Sequence, residues 1–540
     1  MQAANPANTI ETTPEQEVQT GAPDRLGRRD LYVMGLVLLG YVVAILLMPM
    51  RHDFAILDDW AYVRPVENII AGHGFQPSEH AQATLMTHAY WGAIFAWLFG
   101  MSFTSLTAAV MTLSAIAALT FYVLLRRAGF PPGLSGIGVA LLTLNPYFLY
   151  LSYTFMTEVT FLTLLLLTCL CYYEGLRPGG ARWLWTGSVF AALTFLTRQF
   201  GLALPLAALL WLAFSGKLTW GRLAAVALLP ALAFIGYYAW SSGYGPTFSG
   251  SVGREELLDL VRSPSSWLKR AAHFVYLETF WPGLLVPLLG RVRHWKLTLA
   301  LSAAAAIAVF ALWQVKSGLV EQGQSTVNEL SYSWLQAALP DPTLIYCLGA
   351  ALTVWLLAGI IERAWPGLIA LLRRRRQPQP ADFLYLVPLL LFAGTYLPSA
   401  GFLDRYWLPI LPFLIMGGLA GFADDRRWTM EDGGKDTGSQ TPIVHRPSSI
   451  ARLWPGLALF ALVAAYGIAS HLDDYDAVGT YWQAGRWLVS QGVPYDKMLV
   501  TYSWDGYYMG DESLRRLGSH DINVIGRVFP PYKVIDPQYV

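Results

Sequence analysis

Apolar runs of roughly twenty residues recur from Leu31 to about residue 470, separated by short polar or basic interruptions. A run of that length crosses the ~30 Å hydrocarbon layer as a helix. In lipid a helix satisfies every backbone N–H and C=O within the segment, which an open chain cannot do. The pattern predicts an all-α polytopic membrane protein. Composition agrees, because 55% of the 540 residues are hydrophobic and only 14% are charged, about half the charged share of a soluble domain. The 37 Lys+Arg and 36 Asp+Glu leave a net charge of +1, with Arg373–Arg376 as the one basic tract. That balance argues against a nucleic-acid partner and leaves the lipid bilayer as the environment. Cys169, Cys171 and Cys347 all lie in apolar runs, with neither metal-ligand spacing nor a disulfide framework.

The first run, Leu31–Met50, is too long for the apolar core of a signal peptide and lacks a small-residue cleavage site. It is expected to stay as a span. Residues 1–30 read as a disordered cytoplasmic tail, and Arg25, Arg28 and Arg29 hold its end inside by the positive-inside rule. Further spans are expected at about 103–125, 133–152, 158–175, 183–197, 200–215 and 222–240. Others are expected at about 271–289, 296–313, 343–361, 382–398, 406–421 and 454–470.

Residues 86–100 are apolar as well. Counting them as a crossing would put Arg126–Arg127, Arg291/Arg293/Lys296 and Arg373–Arg376 outside. Leaving them out gathers every one of these clusters, with the polar stretch 422–450, in the cytoplasm. The segment is therefore read as a helix lying on or dipping into the outer face. About thirteen spans then put the chain ends on opposite sides of a cytoplasmic (inner) membrane. Residues 31–470 form the membrane domain, with outer pieces at 51–102, around 241–270 and around 314–342. The extracytoplasmic tail 471–540 is expected to form a small mixed α/β appendage, from the alternation around Lys497–Tyr502 and the turn-like Asp505-Gly506.

Chemistry concentrates at the outer face. Asp58 and Asp59 sit side by side among Ile56, Leu57, Trp60 and Tyr62. Like charges in an apolar setting raise at least one pKa, which suits a general base or a cation ligand. A helix N-cap with an acidic first turn is the other reading. Glu158 opens an apolar run from the same side, where a carboxylate costs less than at mid-bilayer, and can also be a plain helix start. Asp58, Asp59 and Glu158 together suit one divalent cation (Mg or Mn), or a base and the group that orients it. Arg198 and Arg405 fall at outer span ends, against the positive-inside bias. They either snorkel or grip a lipid phosphate bidentately. His88 is either a hydrogen-bonding polar residue or a substrate contact, and Asp505 with its aromatic neighbours is a weaker candidate for touching a sugar. Glycine-rich phosphate loops, zinc spacings and serine-triad motifs are absent.

Several of these residues form an ordered set. Asp58-Asp59 with Tyr62 and a surface helix ending at Phe99-Gly100 come first, then Glu158 after the third span. Thr197-Arg198-Gln199 follows the fifth span, and Arg405-Tyr406 with Pro409 and Pro412 comes late. Over roughly residues 30–420 this order resembles the GT-C membrane glycosyltransferases, in the branch similar to protein O-mannosyltransferases and lipid A aminoarabinose transferases. The resemblance implies a GT-C fold and transfer of a hexose or pentose from a polyprenyl-phosphate donor. The acceptor would be extracytoplasmic (protein, glycolipid or wall glycan) and the anomeric centre would invert.

By the same resemblance Asp58 is the catalytic acid, and Asp59 or Glu158 orients it or holds the metal with it. Arg405, Arg198, Tyr62, Tyr406 and His88 would contact the donor. Three features depart from the pattern: Asp59 stands where relatives carry Glu, Glu158 where they often carry Asp, and Met86-Thr87-His88 replaces a Lys-Pro-Pro element. A lipid or glycan transporter is the competing class, but it would place ionisable groups near the midplane on paired interrupted helices. A lipid-linked glycan polymerase or ligase is a third, and the early acids argue mildly against it.

Overall fold

The computed structural model describes residues 26–47, 53–76, 83–244, 285–288, 292–315, 343–373, 376–396, 404–431, 453–498 and 500–509. The helices are α1 (Arg28–Leu46), α2 (Asp59–Ile70), α3 (Met86–Phe99), α4 (Phe103–Arg127), α5 (Pro132–Thr143) and α6 (Pro146–Ser152). They continue as α7 (Thr157–Leu176), α8 (Ala181–Phe195), α9 (Ala203–Phe214), α10 (Trp220–Ser241) and α11 (Trp295–Val315). The last are α12 (Thr343–Leu372), α13 (Pro380–Tyr396), α14 (Leu411–Glu431), α15 (Trp454–Ser490) and α16 (Tyr502–Met509). Among the described residues six helices are long and apolar enough to cross a membrane, or seven if the bent pair α5–α6 counts as one span. The chain is a multi-pass helical membrane protein.

Burial sorts these helices. α7 is apolar on every side, its best membrane window is 83% buried, and it forms the centre with α4 and α8 around it. The same window of α1 is 17% buried and that of α10 22%, with Leu36, Leu39, Leu232 and Ile235 turned outward. Large apolar side chains facing out on a long helix meet lipid. The expected span 133–152 breaks at Asn145-Pro146, where α5 and α6 meet at 62°. Proline removes an N–H and keeps its predecessor out of the helical region. The Asn145 side chain then accepts from the Tyr147 N–H and caps the new start.

The ends of the helices agree with the sidedness read from the sequence. Asp30 at the start of α1 accepts from Arg126 Nε at 2.5 Å and from the Tyr122 hydroxyl at 2.9 Å, both near the end of α4. The basic ends 28–29 and 126–127 therefore share one face, so residues 47–102 make no net crossing. α3 fits a lipid-dipping role: Ala89, Gly92, Ala93 and Ala96 face inward while Tyr90, Ile94, Trp97 and Leu98 are exposed.

Differences from expectation fall late in the chain. The span placed at 406–421 begins as a 3-10 turn, Asp404–Trp407; Pro409 interrupts the run, and the helix starts at Leu411 with Pro412 in its first turn, where proline is tolerated. α15 runs unbroken through residue 470 to Ser490, so the membrane domain and the tail are joined by one helix. The described part of the tail contains a 3-10 turn (Tyr495–Lys497) and α16, with no strand at 497–502. Most of 271–289 and 314–342, and all of 1–25, 422–450 beyond Glu431 and 510–540, lie outside the described residues.

Candidate active site

Two backbone kinks set the site. Leu57 and Leu85 carry φ of +53° and +62°, a region that costs a leucine about 1–3 kcal/mol and clusters at functional positions. Leu57 turns the chain so that Asp58 caps α2 and Asp59 begins it. Leu85 starts α3, and the segment around it is tied to the end of α8. The Thr84 hydroxyl donates to Phe195 O at 2.6 Å, and the Leu85 N–H donates to Thr197 O at 3.1 Å. That seam fixes Arg198, the next residue.

Glu158 is the hub. It is fully buried at the start of α7, and its Oε1 meets Arg198 Nη2 at 2.9 Å and Arg405 Nε at 3.1 Å. Arg405 reaches on to Asp58, with Nη2 to Oδ2 at 2.9 Å. Arg198 is also held by Thr157, whose hydroxyl oxygen accepts from Nε at 2.8 Å. The Tyr406 ring lies under both guanidinium groups, 5.0 Å from that of Arg198 and 6.0 Å from that of Arg405. Four of the expected residues, far apart in sequence, thus form one chain of charges, Arg198–Glu158–Arg405–Asp58. Tyr62 is buried beside them. Burial, reinforced by the Asp58 carboxylate, pushes its phenol above the ordinary range.

Exposure separates the roles. The Asp58 side chain keeps 28% of its surface, while those of Glu158, Arg405 and Arg198 keep 0%, 5% and 8%. Asp58 is the acid a water-borne partner can reach. Glu158 Oε2 is buried without a hydrogen-bond partner, an unsatisfied acceptor at the centre of the cluster.

Asp59 and His88 stand behind this centre. Asp59 Oδ2 accepts from the Ile56 N–H at 3.4 Å, and its Oδ1 has no partner. Burial drives its carboxyl well above the usual carboxylate range, and Asp58 and Glu158 add to the effect. Asp59 therefore resists ionisation, and it ties the turn through the Ile56 N–H. His88 Nε2 lies 3.1 Å from Phe155 O and Nδ1 2.8 Å from Thr160 Oγ1. A carbonyl can only accept, so Nε2 carries the proton and the threonine hydroxyl donates to Nδ1. Burial pushes the imidazole down to about 3 and keeps it neutral. Both ring nitrogens are occupied, so His88 braces the Phe155–Thr160 segment that presents Glu158. Asp505 is 4% exposed, too deep in the tail to touch a sugar.

Sequence reasoning missed Thr157, Thr160 and the Phe155 backbone, which hold Arg198, His88 and Asp59. Their position within three residues of Glu158 was the available signal. It also missed a small cleft that leads from Arg198 and Tyr406 between Phe161, Phe200, Leu391 and Ile410.

The donor set does not suit the divalent cation expected at Asp58 and Glu158. Among the described residues no three His, Cys, Asp or Glu side chains converge on a metal position. Glu158 already faces two guanidinium groups through Oε1, and their positive charge would repel a cation at this carboxylate.

Two buried arginines and two acids thus meet at one end of the helical scaffold, and Arg198 lines a small apolar cleft. Residues 83–240 match the model of a family described as dolichyl-phosphate-mannose-protein mannosyltransferase. The likeness to membrane glycosyltransferases is thereby found over the part of the chain that carries His88, Glu158 and Arg198. No curated protein matches the chain by sequence. Among solved structures it is similar to ArnT from Cupriavidus metallidurans bound to undecaprenyl phosphate, with 14% identity and a TM-score of 0.48 over 93% of this chain and 88% of that one. It is also similar to the apo Archaeoglobus fulgidus oligosaccharyltransferase, with 16% identity and a TM-score of 0.46 over 90% of this chain and 63% of that one.

Proposed function

We propose that the chain transfers a sugar from a polyprenyl-phosphate donor to an acceptor hydroxyl at the non-cytoplasmic face of the membrane. The observation that carries this reading is the convergence of Arg198 and Arg405 on Glu158, with Arg198 lining the apolar cleft and Asp58 the more exposed acid of the cluster. Paired guanidinium groups suit a phosphate, and a wall of Phe161, Phe200, Leu391 and Ile410 suits the isoprenoid next to it.

The reaction follows from these placements. The donor phosphate draws Arg405 away from Asp58, leaving that carboxylate to accept the acceptor's proton. The acceptor oxygen attacks the anomeric carbon from the face opposite the phosphate, and the bond from that carbon to the phosphate oxygen breaks. The pair of electrons leaves with the polyprenyl phosphate, where Arg198 and Arg405 balance the new negative charge. One displacement inverts the anomeric centre. Glu158 keeps the two arginines converged, and Tyr62 lines the space between base and phosphate. No step is routed through a metal.

Purified protein in nanodiscs, given a panel of undecaprenyl-phosphate hexoses and pentoses and envelopes from a strain lacking the chain, tests the proposal. Sugar incorporation by the wild type is expected. Asp58→Asn should lower turnover by about 10²–10⁴-fold, the usual contribution of a general base. Unchanged turnover in that variant removes the base assignment.

A further inference from the structure

The catalytic helix α2 is weak as a helix. It has 12 residues, too few for independent stability, and Pro65 inside it removes the N–H that would bond Ala61 O. Yet Asp58 has to sit at its N-terminus within a fraction of an ångström for proton transfer. Its rigidity must come from what packs on it.

α16 supplies that packing. Trp60, Arg64 and Glu67 stand at i, i+4 and i+7, one face of α2, and all three meet α16. The Arg64 guanidinium donates to Tyr507 O and lies 4.7 Å over the Tyr507 ring. The Tyr507 hydroxyl donates to Glu67 Oε1 at 3.1 Å, and Arg64 closes the triangle on Glu67 Oε2 at 2.8 Å. Gly506 lies flat against the Trp60 indole: a Cβ there would stand 2.8 Å from Nε1 and nearer still to the ring carbons. α16 is itself anchored. The Trp504 N–H donates to the Thr501 hydroxyl at 3.2 Å, and Trp504 packs edge-on to Trp482 of α15 at 5.0 Å.

We propose that Gly506 and Tyr507 are positioning residues for Asp58: the short helix near the C-terminus is a clamp that fixes the first turn of α2. The clamp acts through Trp60, two residues from the acid, and touches neither donor nor acceptor. Its effect on rate therefore appears in the chemical step rather than in donor binding. This inference rests on the transfer reading for its kinetic consequence, but its structural half can be read without turnover.

The test uses full-length protein in nanodiscs with Gly506→Val, which wedges the indole, and Tyr507→Phe and Tyr507→Ala, which remove one and both of its side-chain contacts with α2. Hydrogen exchange at the amides of residues 59–62 is measured first. Gly506→Val and Tyr507→Ala should raise it at least tenfold, with Tyr507→Phe between them and the wild type. Unchanged exchange in both overturns the clamp whether or not the protein transfers sugar. Turnover is measured next, beside affinity for undecaprenyl phosphate. The clamp requires kcat to fall about tenfold or more in Gly506→Val while that affinity stays within about twofold, since a 1 Å misplacement can cost ~10²-fold. Equal loss of both, or loss of neither, overturns it. A wild type that exchanges as expected but transfers nothing fails the transfer reading and leaves the clamp standing.

Discussion

Replacing Arg405 with Gln separates a binding and catalytic role from a purely structural one. In the resting site Arg405 holds Asp58 at 2.9 Å and Glu158 at 3.1 Å. Removing one partner of a buried pair costs about 3–5 kcal/mol. Here the loss belongs at about the lower end of that range, because Glu158 keeps Arg198 at 2.9 Å and Asp58 is partly hydrated. The thermal midpoint in nanodiscs should therefore drop without collapse of the fold.

The functional loss is separate. A hydrogen bond to a charged group is worth about 1.5–3 kcal/mol, so affinity for undecaprenyl phosphate should weaken about ten- to a hundredfold. Losing one donor aimed at the departing charge should lower kcat by a further ~10²–10³. Arg405→Lys keeps the charge but lacks the planar fork that spans two carboxylates. It should restore most of the melting loss and little of kcat. The assay is lipid-dependent thermal shift for undecaprenyl phosphate, followed by sugar transfer under saturating donor. If Arg405→Gln melts lower yet binds the lipid phosphate and turns over within about threefold of the wild type, the arginine is only a tie and the phosphate reading is refuted.

Burial pushes Asp505 up to about 7, well above its ordinary carboxylate value. The folded state therefore binds a proton that the unfolded chain has released, so its contribution is full below about pH 4 and is lost as pH rises through about 7. Hydrogen exchange over residues 500–509 should speed up between pH 5 and 8 beyond its intrinsic base dependence. Asp505→Asn should flatten that excess; an unaltered pH dependence in Asp505→Asn would show that the carboxyl is not its source. For the metal question, EDTA treatment followed by transfer in chelator should leave the rate within about twofold, since two guanidinium groups already face Glu158. A loss restored by Mg²⁺ or Mn²⁺ would contradict the donor-set argument.

The sequence was legible where a physical rule acts on one segment at a time. Apolar length marked α1, α4, α7 and α10, and charge sidedness kept α3 from being counted as a crossing, which the Asp30–Arg126 contact supports. The same sidedness gathered Asp58, Glu158, Arg198 and Arg405 at one face before any geometry was known. What stayed hidden depends on three-dimensional environment. Nothing in the pair Asp58-Asp59 says which acid is accessible; a one-residue rotation about α2 puts Asp58 at 28% side-chain exposure and Asp59 at 1% overall. For His88 the sequence left two readings, a hydrogen-bonding polar residue or a substrate contact, and the structure favours the first. Its partners, Phe155 O and Thr160, are 67 and 72 residues away. The alternation around residues 497–502 suggested a strand, but Met498 is buried in the core and Val500 packs against that core in the lead-in to α16.

The charge ledger of the site explains why two arginines and two acids are arranged in series rather than as separate pairs. Arg198 and Arg405 balance Asp58 and Glu158, so these four side chains bring no net formal charge into a low-dielectric setting. A lipid phosphate entering the cleft brings the excess negative charge. Only the terminal ion pair, Arg405–Asp58, has a partly hydrated member, so it is the pair that opens at least cost. In the proposed transfer, opening it would do two things at once: give the phosphate a second guanidinium and remove the cation from Asp58. Glu158 cannot play the same part, because both arginines meet the same buried oxygen and its release would strand a carboxylate without water. Under the proposed transfer, the order Arg198–Glu158–Arg405–Asp58 would free Asp58 as the base only when a phosphate has arrived. In a separate-pair arrangement, the acid would be free, or blocked, regardless of the donor.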